Sequence, residues 1–226
     1  MKVRLISKTV GVSEEIEGKG PQDIVSYCAR VSNPSNQDNF ESAPRLLRFC
    51  MKHGHVSIFE MADFTFEITT SRAIAAQILR HRHFCFQEFS QRYAEATAYE
   101  PIELRLQDEK NKQNSLENTD PDLDVWFQES VSDLQKKTEA LYKQALEYGV
   151  AKEQARFVLP LNVQTVLYMK GSLRSWIHYL ALRMGQETQK EHREIANAIH
   201  DVLIKEAPDV MSTLKDYSIY QSNPYG

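Results

Sequence analysis

ADFTFEITTSRAIAAQILRHR, residues 62 to 82, changes its period once along its length. From Ala62 to Thr70 apolar and polar residues alternate, with Phe64, Phe66 and Ile68 on one face, and this predicts a half-buried strand. From Ser71 to His81 the spacing becomes helical. Ala73, Ile74, Ala76 and Ile78 are among its packing residues, while Gln77, Arg80 and His81 stand three and four apart and share a face. A strand that runs into a helix places this chain among mixed α and β folds, and the polar face of that helix leads into Arg80-His81-Arg82.

The same two periods recur on both sides. Val3 to Val10 alternates as a strand, and Pro21 to Val31 and Pro44 to His53 read as helices separated by the turn-rich Ser32-Asn33-Pro34-Ser35-Asn36. Ile102 to Leu106 is a short strand, and the polar, Asn-rich stretch from Gln107 to Asp124 reads as a mobile surface loop. Asp120-Pro121 supplies an N-cap with proline in the first helical position. Leu123, Trp126, Phe127, Val131, Leu134 and Leu141 then follow at helical spacing up to Gly149. In the helix from Ser172 to Met184, Leu173, Trp176, Ile177, Leu180 and Met184 form the apolar stripe. At about 100° per residue, Arg174 and His178 project together away from it, and Arg183 emerges near its opposite edge. Thr188-x-x-Glu191 has the form of a capping box, opening a helix with Ile195, Ile199, Val202 and Leu203 inward until Pro208. No internal repeat or low-complexity tract appears, so residues 1–226 are read as one α/β domain.

With 226 residues, 42% of them hydrophobic, the chain has enough apolar material for one substantial core. The net charge of −4 argues against a nucleic-acid binder that depends on a broad basic field. Cys28, Cys50 and Cys85 are an odd set without Cys-x-x-Cys spacing, which implies neither a disulfide framework nor a zinc site and suits a reducing cytoplasm. The histidine pairs His53/His55 and His81/His83 have no acidic partners at metal-ligand spacing, so no metal is expected. No apolar run is long enough to cross a bilayer.

The chemistry concentrates in Arg80 to Tyr93. Arg80, Arg82 and Arg92 each present a planar fork of donors suited to phosphate or carbonyl oxygens, and Glu88, Ser90 and Gln91 lie between them. Ser90 lacks a Gly-x-Ser-x-Gly elbow, so hydrogen bonding to a phosphate is preferred to a nucleophilic role. Cys85 lies between Phe84 and Phe86, with Phe89 close by, and is read as a packing residue.

The order Arg-His-Arg, seven residues, then serine resembles the signature of the flavin-dependent thymidylate synthases. Three further blocks occur in the family's order: His55-Val-Ser57-Ile-Phe59-Glu60, Arg156-Phe-Val-Leu-Pro160-Leu-Asn162, and Ser172-x-Arg174-Ser175 with Leu182-Arg183. The resemblance implies an α/β fold of the α+β type, with a central, mostly antiparallel sheet flanked by helices. It implies that Gln77, Arg80, Glu88, Ser90, Gln91, Arg92, Arg156 and Arg183 contact deoxyuridine monophosphate (dUMP). His55, Ser57, Arg80, His81, Arg82, Glu88, Ser172, Arg174 and His178 would lie on the flavin (FAD) side. Arg183 would be catalytic, methylenetetrahydrofolate the carbon donor, NADPH the reductant, and the assembly a homotetramer with sites between subunits. Cys85, Gln91, Ser172, His178 and Gly185-Gln186-Glu187 depart from the family pattern near these ligands.

Two other readings remain at this point. A related flavoenzyme acting on another pyrimidine nucleotide would share the same arginines. A single-strand nucleic-acid binder would grip phosphates with Arg80, Arg82 and Arg92 and stack bases on Phe84, Phe86, Phe89 and Tyr93, against the acidic net charge.

Overall fold

A strand that ends on a serine and becomes a helix at the next residue occurs twice in this chain, and these two junctions organise the computed structural model, which describes residues 1–95, 98–215 and 217. The elements are β1 (Lys2–Lys8), α1 (Pro21–Ala29), α2 (Ala43–Lys52), β2 (Asp63–Ser71), α3 (Arg72–Ile78), β3 (Cys85–Glu88), β4 (Arg105–Gln107), β5 (Ser115–Glu117), α4 (Pro121–Glu147), α5 (Lys152–Ala155), β6 (Gln164–Ser172), α6 (Leu173–Arg183), α7 (Lys190–Glu206) and α8 (Pro208–Met211). One sheet has the strand order β1-β2-β6-β3, and β4 and β5 form a separate antiparallel hairpin. The mixture of helices and antiparallel sheet is the fold class expected from the sequence. The chain divides into two compact units. One holds Met1, Thr69–Arg80 and Gln87–Leu167, and the other holds Lys2–Ile68, His81–Phe86 and the chain from Tyr168.

In the second unit the alternation read in β2 becomes burial: Phe64, Phe66 and Ile68 are fully buried. Trp176 of α6 is the largest fully buried side chain there. Its Nε1 donates to the carbonyls of Gly171 at 3.1 Å and Phe64 at 3.3 Å. The rings of Phe84 and Phe66 meet it edge-on, with centroids 4.6 and 5.0 Å away. Gly171 permits this packing, because a Cβ at that position would lie 2.4 Å from the Phe84 ring. α7 packs on α6 and on β1 through Ile195, Ile199 and Leu203. At the sheet surface, Glu67 accepts from Arg4 at 2.9 and 3.2 Å and from the Tyr168 hydroxyl at 2.7 Å.

In the first unit, Asp120 caps α4 as read, its carboxylate accepting from Asp122 N at 3.0 Å and Leu123 N at 3.1 Å. The apolar stripe of α4 is another matter: Tyr142 is buried, but Trp126, Leu134 and Leu141 are exposed.

Four expectations need correction. The stretch from Gln107 to Asp124 is not all loop, since it contains β5 and the start of α4. Its hairpin pairs the exposed Leu106 and Leu116 and is tied by polar contacts: Arg105 donates to Ser115 Oγ and O, both at 2.7 Å, and Asp108 accepts from Lys110 N, Asn111 N and Asn114 Nδ2. Cys85 is exposed, because the alternation of β3 turns it to the face opposite Phe86, which is half-buried. Thr188 does not cap α7. Its hydroxyl donates to the Leu182 carbonyl at 3.2 Å, and the N-cap position belongs to Gln189, whose side chain donates to Glu191 Oε2 at 2.9 Å. Finally, α3 ends at Ile78, so Arg80 and His81 leave the helix through a turn in which Arg80 N donates to Gln77 O at 3.3 Å.

Candidate active site

Each junction is built by a serine that ends its strand and caps its helix. Ser71 Oγ accepts from Ile74 N, and Ser172 Oγ accepts from Ser175 N, both at 3.3 Å. The next backbone N–H is also used: Arg72 N donates to Val163 O at 3.0 Å and Leu173 N to Ala62 O at 2.7 Å. Ser172, expected beside a cofactor, therefore also has a structural task, which its place at the end of a strand pattern signals.

Gln77, Arg80, Glu88, Ser90, Gln91, Arg92 and Arg156 all fall in the first unit. There the structure brings Gln91 and Arg156 into one cavity of about 340 Å³, together with Arg72, Phe157, Pro160 and Leu161. Arg72 was not anticipated; it sits at the first helical position after β2, where nothing in its spacing marks it. Glu88 accepts from Thr165 Oγ1 at 3.0 Å and lies 3.5 Å from Arg72 Nη1. Arg92 is paired with Glu153, through Nε at 3.0 Å and Nη2 at 2.9 Å, and its backbone N donates to Ser90 Oγ at 3.3 Å. Arg156 Nε donates to the Glu153 carbonyl at 3.3 Å. Arg80 is exposed and Gln77 half-buried, and neither lines the cavity.

His55, Ser57, His81, Arg82, Ser172, Arg174, His178 and Arg183 fall in the second unit. Here Arg183, at the last position of α6, donates from Nε to His81 Nε2 at 3.0 Å. That bond assigns the proton of a neutral His81 to Nδ1. His81 stands edge-on to Tyr179, with centroids 5.0 Å apart, and the Tyr179 hydroxyl is 3.1 Å from His192 Nε2. Tyr179 and His192 are fully buried and were not singled out from the sequence. His192 does continue the Ile195/Ile199 stripe of α7, a signal that could have found it. His178 packs against His83 with ring centroids 5.1 Å apart, and its Nδ1 is 3.4 Å from the Tyr217 hydroxyl. Arg174 is ion-paired with Glu60, while His55, Ser57 and Arg82 are exposed.

The electrostatics of this cluster have one direction. Burial first, then the Arg183 guanidinium, pushes His81 down to about 3 and His192 down to about 4, from an ordinary 6.5. Burial also lowers His83, and it lowers His178 together with Arg174 and Arg183. It raises the Tyr179 hydroxyl. At neutral pH, Arg183 therefore faces uncharged rings.

These shifts carry a stability consequence. The unfolded chain protonates both histidines near 6.5, whereas the folded chain resists to about 3 and about 4. Unfolding thus takes up protons inside that window, and the stability from the neutral pair, complete above pH 6.5, is lost as pH falls through it. The urea midpoint should drop steadily from pH 6.5 to 4, and less steeply in His192→Gln, which removes one titrating ring. Parallel pH profiles for the two proteins would contradict this account.

The family model described as "Thymidylate synthase complementing protein" matches residues 12–209. The flavin-dependent thymidylate synthase of Synechocystis is 53% identical, over 95% of this chain and 100% of its own length. The probable flavin-dependent thymidylate synthase of Paramecium bursaria Chlorella virus 1 is 47% identical, over 95% of this chain and 99% of its own. A solved structure of the UMP/dUMP methylase PolB from Streptomyces cacaoi, bound with 5-Br dUMP, superposes with a TM-score of 0.81 at 25% identity, covering 96% of this chain and 95% of that one. With a family match over most of its length and relatives about half identical from end to end, this chain belongs to the thymidylate synthase complementing protein family, that of the flavin-dependent thymidylate synthases.

Proposed function

We propose that this chain is a flavin-dependent thymidylate synthase that methylates dUMP at carbon 5, with Arg183 as its catalytic residue. The observation that carries the reading is Arg183 seated beside a neutral His81 within a buried imidazole and phenol cluster. A guanidinium against a uracil carbonyl stabilises the negative charge that develops as the ring is activated, and it does so more strongly where water is excluded and no second cation competes. His81 holds the Arg183 fork through Nε while leaving both Nη groups for the substrate. No enzyme nucleophile is needed. Arg80, Arg92 and Arg156, with Gln77, Glu88, Ser90 and Gln91, position the nucleotide, and the cavity shared by Gln91 and Arg156 supports their part in it.

The donor set of the second unit fits a flavin. The exposed guanidinium groups of Arg82 and Arg174 suit a diphosphate, and the uncharged rings of His81 and His178 offer flat walls to an isoalloxazine. Arg174 would exchange Glu60 for that diphosphate, and Ser172, His55, Ser57, Arg80 and Glu88 complete the assigned contacts. When bound, reduced FAD supplies the hydride of the conversion. Methylenetetrahydrofolate is assigned as carbon donor and NADPH as reductant. The exposed Trp126, Leu134 and Leu141 of α4 support self-association, for which the homotetramer is proposed, with sites completed between subunits. A cytoplasmic setting suits three cysteines that form no disulfide, and among the described residues no helix is long and apolar enough to cross a membrane.

The test is tritium release from carbon 5 of labelled dUMP by purified protein with FAD, NADPH and methylenetetrahydrofolate, omitting each in turn. Release that requires flavin and folate together, with thymidylate as product, is expected. A second reading, in which another pyrimidine nucleotide is the substrate, is favoured by the structural neighbour described as a UMP/dUMP methylase. Faster release from UMP than from dUMP would establish it, and no release from either would overturn both.

A further inference from the structure

We infer that Arg72, outside every motif, binds the phosphate of the nucleotide. This rests on the site read above. Arg72 Nη1 is buried and makes no hydrogen bond among the described residues, although Glu88 Oε1 lies 3.5 Å away. Glu88 does not close that gap, because the same oxygen is engaged at 3.0 Å by Thr165 Oγ1, on a side chain that is 2% exposed. Gln91, 3% exposed, likewise leaves its Nε2 buried with no partner among the described residues. Both side chains line the cavity of about 340 Å³ that Arg156 also enters.

Buried donors left without acceptors are uncommon, because they lose hydration and gain nothing in return. Two of them on one cavity, beside a second guanidinium, define a place for a group that only accepts. The apolar side of the cavity, with Phe157, Pro160 and Leu161, offers no competing side-chain acceptor. A phosphate dianion meets that requirement, with several oxygens to share among a fork, an amide and a second fork. The backbone at Arg72 is fixed, since Arg72 N and Ala73 N donate to Val163 O and Leu161 O at 3.0 and 3.1 Å. Binding therefore needs only side-chain rotation. Glu88 balances the Arg72 charge at a distance, and on binding the arginine transfers its fork to the phosphate.

Calorimetric binding of dUMP and of deoxyuridine, the latter by competition against dUMP where weak, separates the outcomes. Arg72→Met should weaken dUMP on the order of tenfold to a hundredfold and leave deoxyuridine unchanged, with Arg72→Lys between it and the unaltered protein. The phosphorus resonance of bound dUMP should also shift in both variants. Equal losses for the two ligands would make Arg72 a positioning residue for Glu88 and overturn the inference, as would unchanged dUMP binding. If Arg72→Met fails to fold, Arg72→Lys carries the comparison. Failure of the unaltered protein to bind dUMP would instead remove the reading of the site, and the inference with it.

Discussion

Arg183→Ala is expected to abolish thymidylate formation while the protein stays folded. Arg183 is half-buried at the end of α6, outside the packed stripe of Trp176, Ile177 and Leu180, so its loss opens no core cavity. Removing one preorganised donor to a developing oxyanion commonly costs about a hundredfold to a thousandfold in turnover. Here a full positive charge is lost as well, so turnover should fall below detection in a tritium-release assay. Arg183→Lys keeps the charge but loses the fork that grips His81, and should recover only part of the rate. The pH profile offers a second readout. Arg183 helps to hold His81 and His192 low, so in Arg183→Ala both should titrate nearer 6.5, moving proton uptake on unfolding toward neutral pH. Full turnover with normal dUMP affinity would refute the assignment.

Trp176→Ala should be the most damaging change to the fold. The indole is fully buried, touches the rings of Phe66, Phe84 and Tyr179, and donates to two backbone carbonyls. Truncating such a side chain costs about 3–5 kcal/mol through the cavity it leaves, and the Gly171 and Phe64 carbonyls would lose their side-chain donor. That is a large part of the stability of an ordinary domain, roughly 5–15 kcal/mol. Trp176→Phe retains most of the volume and drops the donor, so urea unfolding of the two variants separates packing from hydrogen bonding. A midpoint for Trp176→Ala within error of the unaltered protein would show that the indole is not a keystone of this unit.

Where burial governed the structure, the sequence could be read. Phe64, Phe66 and Ile68 alternate because one face of β2 is covered, and the stripe of α6 is where its periodicity put it. Where polar contacts govern, it could not. The β4–β5 hairpin is tied by Arg105 and Asp108, and its apolar pair, Leu106 and Leu116, is exposed, while Thr188 found a carbonyl at the preceding helix instead of an amide of its own. The site divides in the same way. The arginines of the proposed site stand out in the sequence by order and spacing, whereas Tyr179, His192, Thr165 and Arg72 depend on neighbours distant in sequence. The Cys85 reading failed on a simpler count: three phenylalanines nearby suggest burial only if the chain does not alternate, and at β3 it does.

The absence of any linker at the two serine junctions sets which lengths of chain evolution can vary. A residue inserted in the hairpin turn near Asn111 would be absorbed at the surface. One inserted between β2 and α3, or between β6 and α6, would turn everything downstream in that helix by about 100° and advance it by about 1.5 Å. Arg183, at the far end of the second of these helices, would then swing away from His81 with no local slack to correct it. Homologous chains should therefore differ in length at their loops and keep a constant count of residues from each capping serine to the arginine it aims.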